Sequence, residues 1–241
     1  MRSLSYKYFV KPSENYKGLS YSDLISSWLR WLLSSMPDQY DYGDILFLRG
    51  SVGCHTSKSN YLTSSVAIPQ GVAILVPIVT THFFIGDIYN GTVIKEEFTL
   101  RKAVREHVDA AGPFWATLEV NNKKVVKLVP TLDSFRIESA IFEIHVSENN
   151  PFLELMDEPN SPGLHTAMVG GYFVLLHDLP IGIYRIRFGG YGMESFYTEA
   201  LYNINIKPKK LDSKDTSGPK FTPDHILKEK RNPLKTKIKI L

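Results

Sequence analysis

The chain is predicted to be mainly β: a sandwich or jelly-roll-like body with two α-helices and an extended basic C-terminal arm. Three observations lead there. First, from Trp115 to Ile206 short alternating stretches ("ATLEV", "KVVKLVP", "SFRIESAIFEIHV", "YRIRF", "EALYNINIK") are separated by turn-rich ones ("NNKK", "ENNP", "DEPNSPG", "GGYG"). Many short strands with regular turn signals are the signature of a sandwich or jelly roll. Second, only two stretches carry a helical period. Third, the pattern stops after Ile206, where Lys, Pro, Ser, Gly and Asp take over.

Taken in order, residues 1–19 read as an extended N-terminal lead. "SYSDLISSWLRWLLSSMP" then places Tyr21, Leu24, Ile25, Trp28, Leu29, Leu32, Leu33 and Met36 at helical spacing. Ser20 or Ser22 caps the start and Pro37 follows the end, so a helix is expected over 21–36. Its Trp28 face should pack on the body, with Arg30 and Trp31 off the stripe. "DILFLR", residues 44–49, reads as a strand ended by Gly50 and Gly53. "SSVAIPQGVAILVPIVTT" reads as a strand, a Pro-x-Gly turn at Pro69–Gly71, and a second strand over Val72–Val79. That second strand is apolar on both faces, which places it inside a core covered from both sides. Pro77 lacks an N–H and should lie at a bulge or a ladder edge.

Asn90-Gly91 marks a tight turn. "EEFTLRKAVREHVDAAGP" reads as the second helix, near 96–111, with Thr99 as its cap. Leu100, Ala103, Val104, His107, Val108 and Ala111 form its apolar stripe, and Gly112-Pro113 stops it. The body therefore spans 20–206, and 207–241 is the arm.

Composition narrows the class. The chain has 241 residues, 43% hydrophobic and 12% aromatic, enough apolar surface to bury a sizeable core. Cys54 is the sole cysteine, so no intrachain disulfide forms. The stretch "MRSLSYKYFVKPSENY" lacks an apolar run of signal-peptide length. The most apolar run, "GVAILV", is bracketed by Pro69 and Pro77, far short of the about 20 residues a spanning helix needs. These features favour an intracellular location, or a virus particle assembled there.

Charge is segregated. From Lys207 onward there are eleven Lys or Arg against four Asp or Glu, a net +7; the total of +3 leaves −4 on residues 1–206. The basic residues include Lys207, Lys209, Lys210, Lys228, Lys230, Arg231, Lys235, Lys237 and Lys239, the candidate partner-binding set. Lysines neutralise phosphates, but Phe221 is the arm's single aromatic and Arg231 its single arginine. Any nucleic-acid binding would therefore be non-specific. Docking on the acidic body of a neighbouring copy fits equally well. The last residues, "KTKIKIL", alternate and suit addition to a sheet edge.

Candidate ligand-site residues are sparse. "TTHFFIGD" follows the buried strand and places His82 and Asp87 at its exit, where loops carry function; the simpler role is packing Phe83 and Phe84 on the core. "FEIHV" sets Glu143 and His145 on one face of a strand, a spacing that suits two metal ligands, with His82, His165 or His177 as a third. A solvated outer face, with Arg185 and Arg187 pairing across to Glu143, explains the same residues more simply. Cys54 and His55 are adjacent and point apart in a strand or turn, which argues against a thiol–imidazole pair. "GGYG", 189–192, suits a hairpin or bulge rather than a phosphate cradle, which needs a following helix. Tyr191, Phe196 and Tyr197 would line an aromatic site near it. No nucleophile elbow, P-loop or dinucleotide motif occurs, and no metal or cofactor is implied.

Residues 20–206 resemble a loosely defined group of uncharacterised bacterial and archaeal proteins. The shared motifs are "WLRW", "SSMP", "FLRGSVG", "IPQGVAILVPI" and "LPIGIYRIRF". The resemblance implies a β-sandwich with a helical lead. Paired cysteines flanking the central strands belong to that group, and this chain departs from it in having Cys54 alone. The motifs are structural and imply no activity. The expectation for function is a non-enzymatic structural or interaction module of a larger assembly, its arm docking on neighbouring subunits. The alternative is a carbohydrate- or ligand-binding, or hydrolytic, sandwich.

Overall fold

A computed structural model describes residues 8–34, 44–51, 62–121, 124–128, 132–150, 162–192 and 197–209. The fold is mainly β and sandwich-like, with two helices. Its elements are β1 (Phe9–Val10), α1 (Tyr21–Leu33), β2 (Ile45–Phe47), β3 (Leu62–Pro69), β4 (Ala73–Phe84), β5 (Ile88–Tyr89), β6 (Thr92–Val93) and α2 (Glu97–Asp109), followed by β7 (Phe114–Val120), β8 (Lys124–Lys127), β9 (Arg136–Glu138), β10 (Phe142–Val146), β11 (Gly163–Leu176), β12 (Gly182–Tyr191) and β13 (Tyr197–Lys207).

Two sheets make the body. In the first, β4 lies between β2 and β11, and the far side of β11 is lined end to end by three short strands, β10, β9 and β1. In the second, the order is β3-β13-β12-β7-β8. Most pairs are antiparallel, but β2 runs parallel to β4 and β3 parallel to β13.

Apolar residues between the sheets form one core. It includes Ile74, Val76 and Ile78 of β4, Val174 and Leu176 of β11, and Ile186, Phe188, Tyr202 and Ile204 of the second sheet. The opposite face of the first sheet carries Ala73, Leu75, Val169, Phe173 and Leu175, and α1 packs there. The first sheet is thus covered on both faces, which is why "AILV" shows no alternation. Each Leu, Ile or Phe so buried contributes about 1.5–3 kcal/mol.

Pro77 sits at a bulge, as its missing N–H requires. Tyr172 opposes Val79 and Phe173 opposes Pro77, so Ile78 is the extra residue. β2 pairs only with Ala73–Leu75, so its ladder ends before reaching the proline. β4 runs on to Phe84, past the expected end at Val79. The added residues find partners because β11 continues alongside them to Ala167. The Asn90-Gly91 turn joins β5 to β6, with φ of 48° and 73°.

α1 starts in a capping box: Asp23 N–H donates to Ser20 Oγ, and Ser20 N–H donates to Asp23 Oδ2. Its last carbonyls are met from elsewhere in the chain. Asn150 Nδ2 donates to Leu32 O at 2.9 Å and Ser34 O at 3.0 Å, and Ser147 N–H donates to Leu33 O. Trp31 is not off the packed face, as its spacing suggested. It is 5% exposed, with its ring 5.9 Å from Phe47, because α1 leans on β2 as well as β11. Arg30 lays its guanidinium over the Phe142 ring.

The N-terminal lead also contributes more than a connection, since Phe9 and Val10 pair with Leu176 and Leu175. The Tyr21 hydroxyl donates to Val10 O and accepts from Leu175 N–H, splicing the helix into that ladder.

α2 buries Leu100, Ala103, Val104 and Val108 against β4 and β11, as its stripe predicts. Its N-cap is Glu96, with no side-chain cap bond, and Thr99 lies inside the first turn. The helix starts within one residue of the expected 96, and Glu96 and Glu97 suit its positive end. Close approach to β11 needs Gly170, where a Cβ would come within 2.7 Å of Val104 Cγ1.

Candidate functional site

The outer face of the second sheet carries the most developed constellation among the described residues. On β12 the core-facing residues are Tyr184, Ile186 and Phe188, so Arg185, Arg187 and Tyr191 face solvent. Register sets Tyr191 opposite Tyr197, and Gly189 between Trp115 on one side and Glu199 on the other. Gly189 places no side chain in that row, so the groups around it meet across the gap. The ring centroids of Tyr191 and Tyr197 are 5.0 Å apart, and Trp115 lies 6.4 Å and 6.0 Å from them. Tyr191 is 37% exposed.

A polar network underlies the rings. Arg187 Nε donates to Glu199 Oε1 at 2.6 Å, and its Nη2 lies 2.5 Å from the same oxygen. The Tyr197 hydroxyl donates to the other carboxylate oxygen. Glu199 is 7% exposed, so its charge is held by these two donors rather than by water. Burial, and then the bond to Glu199, push the Tyr197 phenol up to about 12, so it stays a donor at neutral pH. The Ser51 hydroxyl accepts from Glu199 N–H, and Ser51 O accepts from the Thr198 hydroxyl, fixing this end of β13. The result is an exposed guanidinium fixed by a buried carboxylate, beside one exposed ring, Tyr191, and two half-buried ones, Trp115 and Tyr197. Such a surface stacks on a flat apolar face and hydrogen-bonds the polar groups at its rim.

The residues expected from sequence fall in several places. His82 lies within β4 and not in a following loop, opposite Val169 on the α1 side of the first sheet. Its ring is edge-on to Phe84, 5.4 Å away, and desolvation lowers it to about 4. His165 approaches Phe84 from β11 at 5.2 Å. Asp87 turns back to accept from Phe84 N–H at 2.8 Å. Burial raises its carboxyl, an effect offset in part by that bond and by His165. His82, His165 and Asp87 are thus gathered around one phenylalanine.

Glu143 and His145 share a face of β10, but it is the face opposite Ile144 and Val146, and so opposite His82. His177 contacts Tyr16 and Asp178. No group of three or more metal-binding side chains occurs among the described residues. The expected pairing of Arg185 and Arg187 with Glu143 does not form, because Glu143 belongs to the other sheet. Arg185 faces Glu119 at 3.9 Å, and Arg187 pairs with Glu199.

Lys207 ends β13 opposite Pro69, and Lys209 is exposed just beyond. Lys210, Lys228, Lys230, Arg231, Lys235, Lys237 and Lys239 lie outside the described residues, as do Cys54, His55 and Phe196.

Sequence reasoning found Tyr191 and Tyr197 but missed Trp115, Arg187 and Glu199 as their companions. The signal was available in part: the outward alternation of "WATLEV" and "YRIRF" puts Trp115 and Arg187 on solvent faces. No protein-family model, curated protein or solved structure matches the chain. No helix among the described residues is long and apolar enough to cross a membrane.

Proposed function

We propose that this protein is a non-enzymatic binding module whose ligand is a carbohydrate, taken at the outer face of the second sheet. The supporting observation is the Trp115–Tyr191–Tyr197 trio seated on the Arg187–Glu199 pair. A pyranose ring has an apolar C–H face that stacks on aromatic rings and a rim of hydroxyls that reaches the exposed Arg187 guanidinium, which the buried Glu199 holds in place. The test is a glycan array followed by calorimetry with Trp115→Ala. Binding of at least one glycan class is expected, weakened at least tenfold (about 1.4 kcal/mol) in the variant. Absence of any glycan signal, or equal affinity in a folded Trp115→Ala protein, overturns the proposal.

A second reading rests on the charge segregation of the sequence: the basic arm ties the protein into a larger assembly by docking on acidic partners. Removing residues 210–241 is then expected to abolish association while the body keeps its melting transition, read by light scattering and circular dichroism. An unchanged mass and partner profile in the truncated protein removes this reading. Non-specific nucleic-acid binding through the arm is its variant, marked by an affinity that falls steeply with salt.

A further inference from the structure

Among the described residues, the second sheet ends in β3, an edge strand with neither a charged residue nor a bulge. Among the described residues β3 pairs with β13 alone, in a regular eight-residue register from Leu62 to Pro69. Edge strands present unpaired N–H and C=O groups, and natural sheets blunt them with lysines, bulges or internal prolines. β3 reads "LTSSVAIP": it has no charged residue, no break in register, and a single proline at its last position. The opposite edge, β8, ends in the exposed Lys127. The far edge of the first sheet is broken into three short pieces.

The faces of β3 are informative as well. Thr63, Ser65 and Ala67 point to solvent, small and neutral. Leu62 and Val66 point to the core and pack against it, yet both remain partly uncovered, whereas Ile68 is buried. The core therefore ends at β3 with apolar side chains half closed over.

We propose that β3 is a homodimer interface, pairing antiparallel with β3 of a second copy about a two-fold axis at Ser65. The two five-stranded sheets then become one of ten strands. The strand is complementary to itself in this register. Directly opposed residues share a face in an antiparallel ladder. Ser65 meets the partner's Ser65, Thr63 meets the partner's Ala67, Ser64 meets the partner's Val66, and Leu62 meets the partner's Ile68. Every pair is uncharged, and Leu62 and Val66 gain the cover they lack. Pro69 falls outside the ladder, where its missing N–H removes no bond. A ladder centred on Val66 would instead set Pro69 against Thr63. The same surface patch serves both copies, as a two-fold interface requires.

The test uses the full chain and three variants. Light scattering across a wide concentration range is expected to show twice the chain mass for the native protein. Ser65→Lys sets two like charges on the axis and is expected to weaken association at least tenfold. Ser65 is exposed, so its melting transition should be kept. Ser65→Cys, made together with Cys54→Ser, places two thiols about 4.5–5.5 Å apart between Cα atoms, within disulfide range, and should cross-link as a dimer under mild oxidation. A monomeric native protein, a dimer indifferent to Ser65→Lys, or no cross-link in a dimeric Ser65→Cys protein overturns the proposal. So does a dimer lost on removing 210–241 yet kept in Ser65→Lys, which would assign association to the arm. Glycan binding by the platform is unaffected by any of these outcomes.

Discussion

The two-sided burial of the first sheet is tested by a pair of neighbouring substitutions. Ile74 and Leu75 are both 0% exposed, but they belong to different cores. Ile74 faces the second sheet, and Leu75 faces α1. Leu75 is opposed by Phe47 on β2 and Leu175 on β11, so little around it is free to collapse into a void. Truncating a buried Leu or Ile to Ala costs about 2–5 kcal/mol through lost transfer energy and the cavity left behind. If both faces are sealed, Ile74→Ala and Leu75→Ala should each lose stability within that range. For a chain of this length the same loss lowers the melting temperature by roughly 5–20 °C. Urea unfolding followed by tryptophan fluorescence measures it, since Trp28 sits against Phe173 beneath α1 and Trp115 lies on the outer sheet. A strand with one solvated face would give a different result: Leu75→Ala would cost about 0.5 kcal/mol or less, as surface changes do. That outcome would refute the three-layer arrangement. Ile74→Asp should abolish folding outright, because the buried carboxylate would have no partner.

Two further outcomes follow from single groups. Asn150→Ala removes the donor to Leu32 O and Ser34 O at the end of α1, leaving carbonyls unmet in a buried setting; a loss of about 1–3 kcal/mol is expected in the same urea assay. His82 is held neutral, lowered to about 4 against an ordinary value near 6.5. A base lowered in this way favours the fold when neutral, so its contribution is full above pH ~6.5 and drains away as pH falls through ~4, by at most about 3 kcal/mol. His82→Phe should flatten stability between those limits; an unchanged acid slope would mean other groups set it.

How much of this was legible in the sequence varied with how local the signal was. The helix α1, its serine cap (Ser20 of the two candidates, Ser20 and Ser22), the Asn90-Gly91 turn and the doubly covered strand around Ile74 all declare themselves within a few residues. Pro77 declares a break in the ladder, a bulge or an edge, and the register of β4 against β11 shows it to be a bulge. β11, the longest strand, did not declare itself. "HTAMVGGYFVLL" lacks alternation because both of its faces are buried, and only the packing of α2 explains why Gly170 lies within it. "SFRIESAIFEIHV" looked like one strand but splits into β9 and β10. Between them Ala140 N–H donates to the Ser22 hydroxyl and the Ser139 hydroxyl accepts from Val169 N–H. The aromatic platform draws on β7, β12 and β13, and only the register of three strands brings Trp115, Arg187 and Glu199 together. No spacing within one segment encodes that.

The hydroxyl of Tyr21 has a consequence for the order in which the molecule opens. Leu175 N–H is held by a side chain from α1 rather than by the strand that opposes it, and Val10 O is held by the same atom. β1 is only two residues long and shares this one oxygen with the helix. The first strand, the start of α1 and the end of β11 therefore form a single opening unit. Amide hydrogen exchange at Leu175 should track the undocking of α1 and not the fraying of the N-terminus. A short N-terminal strand, ordinarily the first piece of a sheet to peel away, is here latched from behind.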